Sequence, residues 1–321
     1  MTRTLISGSS GFIGQYLGRY LSERSYHIIN TYRSLPDKLH NEDKSHFSIN
    51  NIDAGTQWQI ALNNVDSVVH LAARVHVMQE TDADPLNAFR EVNTQGTMNL
   101  ARQAVQAGVK RFVYLSSIKV NGEQTTKHPF YADDLSEPQD PYALSKHEAE
   151  QQLLALGKET GLEVVIIRPP LVYGPEVKGN FSRLIALVGK SLPLPLAGIN
   201  NARSLVNIEN LCSFIHTCLI HPKATGEVFL VSDGRDLSTS ELFEKIAQAL
   251  DKKSRLFYLP PGLIKLITTI LGRKAEYERL FGSLQVDIAK NKQLLDWQPI
   301  CSVEQGMRLA VKLQSENMKY R

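Results

Sequence analysis

The chain has 321 residues, longer than one hydrophobic core usually serves, which points to two domains or one with a large elaboration. Its 36 Lys and Arg against 33 Asp and Glu leave a net charge of +3, with no basic run interleaved with aromatics, and this argues against a nucleic-acid partner. Cys212, Cys218 and Cys301 are too few and too scattered for a disulfide framework or a zinc site, so no metal is expected.

MTRTLISG enters an apolar strand pattern without a charged-then-apolar leader, the pattern of a cytoplasmic protein. Strand TLISG (4–8) runs into glycines, and FIGQYLGRYLSER follows with apolar residues at helical spacing. Strands follow at 27–32, 46–49 and 67–72, then a long helix from Pro85 to about Gly108 and a strand at 111–116. Asp140 as N-cap and Pro141 at the first helical position open a helix to about Lys158. LEVVIIRPP returns as a strand apolar enough for burial on both faces. The expectation is an α/β fold: a Rossmann doubly wound parallel sheet over 1–174, which also takes a strand near 227–232, and a smaller α/β substrate domain over 175–321. LPPGLIKLITTILG (259–272) is the most apolar late segment, too short to span a bilayer and interrupted by Lys265, so a buried or interface helix is expected there and no membrane partner.

GSSGFIG sets Gly8, Gly11 and Gly14 three apart between strand and helix. Such a loop turns tightly, lets backbone approach a pyrophosphate and aims helix N–H groups at its charge. A turn with a close helix–strand contact would use the same glycines, but the flanking strand and helix favour a dinucleotide. An acidic residue ending the second strand would hold the ribose 2′-OH of NAD; NTYRS places Tyr32 there with Arg33 beside it. Arg33 suits a 2′-phosphate and equally a solvated loop, so the cofactor is read as NAD or NADP(H). Asp53 would accept from the adenine amino group or cap a turn.

In DPYALSK, Tyr142 and Lys146 lie four apart on one helix face. A phenol titrates near 10, so Tyr142 needs positive charge to act as a base; Lys146 and the helix N-terminus would supply it. Ser117, at the end of RFVYLSS, would orient a substrate oxygen. An exposed neighbour contact is the bland reading of the pair, and its conjunction with the loop and the serine argues against it.

These pieces, in order GSSGFIG, HLAA, VNTQGT, FVYLSSIKVNG, YALSK and RPPLVYGP, resemble the extended short-chain dehydrogenase/reductase superfamily, specifically its sugar-nucleotide epimerase/dehydratase family, from residue 4 to about 300. The resemblance implies Ser117, Tyr142 and Lys146 as a catalytic triad. For NAD(P) it implies contacts from Phe12, Ile13, Ile52, Leu71, Ala72, Ala73 and Pro169, with Asn93 beside the cofactor. It implies a UDP-linked sugar held by Asn180 and Arg203 at the diphosphate and by the segment of Leu194 along the uracil, with Arg279 either a second diphosphate arginine or a solvated charge. Lys119 points to the sugar or to solvent, and Leu171 replaces a common asparagine. Relatives that expel water carry an acid just after the serine; Ile118 and Lys119 here argue for oxidoreduction at C4 alone. The resemblance further favours reduction of a 4-keto-6-deoxy-N-acetylhexosamine nucleotide (UDP-N-acetylquinovosamine formation), with 4-epimerisation of UDP-glucose or UDP-N-acetylglucosamine as the alternative and a non-catalytic NAD(P)-binding regulator well behind. A homodimer built through the Tyr142 helix and its predecessor is also implied.

Overall fold

The computed structural model describes residues 1–34, 45–75, 84–177 and 179–319, the side chains of 180, 275, 276 and 313–319 excepted. Strands β1 (Arg3–Ser7), β2 (His27–Tyr32), β3 (His46–Ser48), β4 (Ser67–His70), β5 (Arg111–Leu115) and β6 (Glu163–Arg168) alternate with helices α1 (Phe12–Ser22), α2 (Pro85–Arg90), α3 (Thr97–Gln106) and α4 (Pro141–Thr160). Beyond them come β7 (Leu171–Tyr173), α5 (Asn180–Gly189), β8 (Leu194–Ala197), β9 (Leu205–Asn207), α6 (Ile208–Ile220), β10 (Val228–Leu230) and α7 (Thr239–Ala249). The chain closes with β11 (Leu256–Tyr258), α8 (Pro261–Ile270), α9 (Lys274–Phe281), α10 (Ala289–Leu295) and α11 (Val303–Lys319).

Seven strands form one sheet in the order β10-β6-β5-β4-β1-β2-β3, every pairing parallel. β5 and β4 are buried along their whole length, as expected of strands covered on both faces. One face packs α1 and α6 through Leu17, Leu21, Leu211 and Phe214 on Ile6, Val113 and Ile167; the other packs α3 and α4 through Leu100, Ala104, Ala149 and Leu153 on Leu5, Val68 and Phe112. The strand order reverses between β1 and β4, the crevice where parallel α/β sheets bind ligands.

The second-half elements pair as β7 with β9 and β8 with β11, and close a separate core around Tyr173, Phe181, Leu205, Leu242 and Met307. A buried carboxylate ties this core back to the sheet. Asp233, after β10, accepts from the Tyr173 hydroxyl, the Asn207 N–H and the Asn210 amide, each at 2.7 Å.

The helix expected over 85–108 is interrupted. Residues Glu91–Gly96 widen into a π-helical turn between α2 and α3. Such turns insert one extra residue and re-aim side chains, and this one carries Asn93.

Candidate active site

The glycine loop is held by contacts that exclude side chains. Gly8 has φ +76°, and a Cβ on it would meet the Ala72 backbone at 3.0 Å; a Cβ on Gly14 would stand 2.3 Å from the Gly8 carbonyl oxygen. Gly11 is the N-cap of α1, and neither a capping side chain nor an acidic residue in the first turn engages its N–H groups. A helix start of this kind, with backbone able to approach closely, fits a dinucleotide pyrophosphate. Phe12 and Ile13, half-buried, pack against the sheet core and fix the direction of the helix.

The adjacent strand end is organised by a buried histidine that the sequence reading did not single out. Ser7 Oγ accepts from the Leu71 and Ala72 N–H groups at 3.1 and 3.3 Å and lies 2.5 Å from His70 Nδ1. With both lone pairs of the hydroxyl in use, its proton goes to Nδ1, so His70 carries its own proton on Nε2, 2.9 Å from Thr97 Oγ1. Burial, aided by the Lys146 charge, pushes His70 down to about 3 and keeps it neutral. The chain of bonds runs from α3 through the imidazole to the loop of Leu71, Ala72 and Ala73.

Asn93 fastens that loop to α4. Its Oδ1 accepts from the Arg74 N–H at 2.8 Å, while Nδ2 donates to the Arg74 carbonyl and to Ser145 Oγ, both at 3.0 Å. Ser145 in turn donates to the Tyr142 carbonyl at 2.8 Å, and Thr94 donates to the Ser145 carbonyl at 2.9 Å. The π-helical turn thereby couples the loop after β4 to the helix bearing Tyr142.

α4 begins as its sequence dictates. Asp140 Oδ1 accepts from the Ala143 N–H at 2.6 Å, Pro141 occupies the first turn, and Gly161 closes the helix at φ 79°. Tyr142 stands edge-on to Phe89 with ring centroids 6.0 Å apart. Burial pushes its phenol up to about 12, against a hydrogen bond with Ser117 that pulls down. Lys146 is almost fully buried; its Nζ donates to the Leu115 carbonyl at 2.9 Å and lies 4.5 Å from the Tyr114 ring. Burial drives its ammonium down to about 7, with only Glu150 opposing. Desolvation is thus the largest cause at both groups, and the Lys146 charge is not among the causes that act on Tyr142. Glu150 itself is committed to Arg168, whose guanidinium forks onto it at 2.9 and 2.5 Å and also reaches Asn121 at 2.9 Å, with both charges buried.

Ser117 caps a short 3₁₀ turn after β5, its Oγ accepting from the Lys119 N–H at 3.3 Å, and Pro169 takes the Ile118 N–H at 3.0 Å. Lys119 points neither freely to solvent nor freely into the site. Its Nζ binds Asp140 at 2.6 Å and Glu123 at 2.9 Å. Burial works against its charge, and these two bonds outweigh it, holding the ammonium above its ordinary range.

Arg203 lies half-buried beyond Glu123, its backbone bridging Leu237 and Leu284 and its Nη1 donating to the Gly282 carbonyl at 2.9 Å. Burial lowers its guanidinium and the Glu123 charge favours it. The fold thus gathers Ser117, Lys119, Tyr142, Lys146 and Arg203 on contiguous segments. The other candidates lie on further elements. Leu194 pairs with Leu256 and packs in a small cluster with Phe243, Arg279 is exposed on α9, and Arg33 is exposed where β2 ends. Ile52 packs on the α3 side of the sheet. Asp53 caps a turn, accepting from the Gly55 N–H at 2.8 Å and from Thr56 Oγ1 at 3.0 Å. Asn180 opens α5, with its side chain outside the described residues. Among the described residues no group of three or more His, Cys, Asp or Glu could hold a metal, and no helix is long and apolar enough to cross a membrane.

A family profile described as NAD dependent epimerase/dehydratase matches residues 4–232. A UDP-glucose 4-epimerase of Vibrio cholerae is 46% identical over 317 residues, 98% of this chain and 96% of that relative. UDP-glucuronic acid 4-epimerase from Bacillus cereus in complex with NAD superposes with a TM-score of 0.77 at 20% identity over 98% of this chain and 99% of the other. RMD from Pseudomonas aeruginosa complexed with NADPH does so at 0.73 and 22% over 98% and 100%. The chain is accordingly an enzyme that uses NAD or NADP(H), and it belongs to the NAD-dependent epimerase/dehydratase family of extended short-chain dehydrogenases.

Proposed function

We propose that the chain inverts the configuration at C4 of a UDP-linked hexose, as a UDP-glucose or UDP-N-acetylglucosamine 4-epimerase. The observation that carries this choice over a single reduction of a 4-keto-6-deoxy sugar is the Vibrio cholerae relative, aligned almost end to end and named an epimerase. The site supports oxidoreduction without loss of water. Ile118 follows Ser117, and Lys119 engages both nearby carboxylates, Asp140 and Glu123.

In this reading Ser117 holds the C4 oxygen while Tyr142 takes its proton during oxidation and returns it when the keto sugar has turned over. Bound NAD(P) supplies the hydride acceptor and donor. Lys146, at the Tyr142 helix, holds the nicotinamide ribose; the start of α1 and Gly8, Gly11 and Gly14 hold the pyrophosphate; Asn93 fixes the loop of Leu71–Ala73 against which the cofactor lies. Arg203 binds the substrate diphosphate by charge-assisted hydrogen bonds, with Asn180 beside it and the segment of Leu194 towards the uracil. A second reading, the 4-keto reductase, would use the same Ser117, Tyr142 and Lys146 and is supported by 27% identity to a GDP-6-deoxy-D-mannose reductase of Pseudomonas aeruginosa over 95% of this chain.

The test is proton NMR of UDP-glucose and UDP-N-acetylglucosamine incubated with the purified protein and NAD. Appearance of the C4 epimer without net NADH supports the epimerase. If neither sugar is epimerised while a 4-keto-6-deoxy UDP-sugar consumes NAD(P)H, the proposal fails in favour of the reductase.

A further inference from the structure

Of the two expectations for LPPGLIKLITTILG, a buried helix or an interface helix, the structure excludes the first. In α8 only Ile264 is buried, with Thr268 half-buried one turn on. Leu263, Leu266, Ile267 and Ile270 are all exposed, Leu266 by 56% and Ile270 by 75%, and Leu271 follows at 65%. Their spacing of i, i+3, i+4 and i+7 puts them in one stripe, so the outward face of this helix is the apolar one. Apolar residues scattered singly on a surface are ordinary, but a contiguous exposed stripe marks an interaction site.

The charge around it says what kind. Residues 252–279 hold seven lysines and arginines against two glutamates, a surplus of five in a chain whose net charge is +3. Lys265 sits within the helix, Lys253 and Arg255 precede it, and Arg273 and Lys274 follow, all of them exposed. The surplus about this exposed apolar helix exceeds the net charge of the whole chain, so the rest of the molecule is on balance slightly acidic. A symmetric contact with a second copy would set this surplus against itself.

We propose that α8 and its basic flanks are a docking surface for an anionic phospholipid layer. The apolar stripe enters the boundary between headgroups and acyl chains, and the lysines and arginines meet the lipid phosphates. At about 15 Å, ten residues reach half-way through a hydrocarbon core of about 30 Å, so the helix lies on the surface and does not cross it. α9 carries the same segment to Gly282, whose carbonyl receives Arg203, so docking brings the candidate diphosphate end of the site near the lipid.

Co-sedimentation of the full chain with vesicles tests this without reference to turnover. Binding to phosphatidylglycerol/phosphatidylethanolamine vesicles, absent with phosphatidylcholine and weakened by salt, is expected. Leu266→Asp with Ile270→Asp should weaken it by about tenfold or more, with activity on soluble UDP-sugar unchanged. Lys265→Glu, at an exposed position, should lower binding and its salt dependence, and serves if the double variant does not fold. No binding to the anionic vesicles, equal binding by wild type and variants, or a dimer at sedimentation equilibrium that the double variant splits would overturn the proposal, the last by assigning the face to a second copy.

Discussion

Around β1, β4 and α4, polar groups are hidden and for the most part partnered; between β11 and α9, apolar groups are exposed and ringed by charge. His70, Asn93, Ser145, Lys146, Glu150 and Arg168 are all buried, and each is held by named hydrogen bonds or an ion pair. Leu266, Ile270 and Leu271, by contrast, face outward. Burying polar groups costs stability unless their partners are in place, so the first region, the proposed seat of the chemistry, has little freedom to rearrange. The second gives up hydrophobic stabilisation that an inward-facing stripe would have supplied, which makes sense only if something covers it.

Breaking the first region should have large effects. Tyr142→Phe keeps the ring against Phe89 and removes the proton carrier, and kcat with the nucleotide sugar should fall by about 10²–10⁴-fold at unchanged stability. Arg168→Met leaves the Glu150 carboxylate buried without its fork, and urea unfolding should register a loss of about 3–5 kcal/mol. Gly14→Ala forces a Cβ into the Gly8 carbonyl; a loss of about 1–3 kcal/mol and weaker NAD binding by calorimetry are expected.

The buried Lys146 should give the region a pH signature. Its folded value of about 7 lies below that of the unfolded chain, so between pH 7 and its ordinary range the unfolded state binds the extra proton. Stability of the cofactor-free protein should rise with pH through that window, by at most about 1.4 kcal/mol per unit from this group, and comparison with Lys146→Met isolates its share. A wild type and variant with the same pH slope would show that the lysine is not desolvated. The smallest effect belongs to the second region: Leu266→Asp should change urea stability by no more than about 0.5 kcal/mol, since more than half of the residue is already exposed. A larger loss would mean that the stripe packs against protein.

Much of the nucleotide-binding half could be read directly from residue order. Strand–glycine–helix, a Pro-led helix with Asp140 as its cap, and a both-face-buried strand at 163–168 are local patterns, set by backbone sterics and periodicity, and they reappear with nearly the expected bounds. Ser117, Tyr142 and Lys146, the proposed catalytic set, take their places from the same local patterns, since each sits at a fixed offset from an element boundary. His70, Thr97, Ser145 and Arg168 were not singled out, because a buried polar residue shows its importance only through partners distant in sequence. Even so, a histidine at the end of an apolar strand was a signal.

The sequence alone therefore determined the doubly wound sheet, the cofactor loop and the Tyr/Lys helix, because turn chemistry and hydrophobic period act over a few residues. Only the tertiary structure decided that Lys119 is clamped by Asp140 and Glu123, that Tyr142 and Lys146 are both desolvated, and that the most apolar late helix turns its stripe outward. Those outcomes depend on which segments meet and how much water they exclude, quantities that no local spacing encodes.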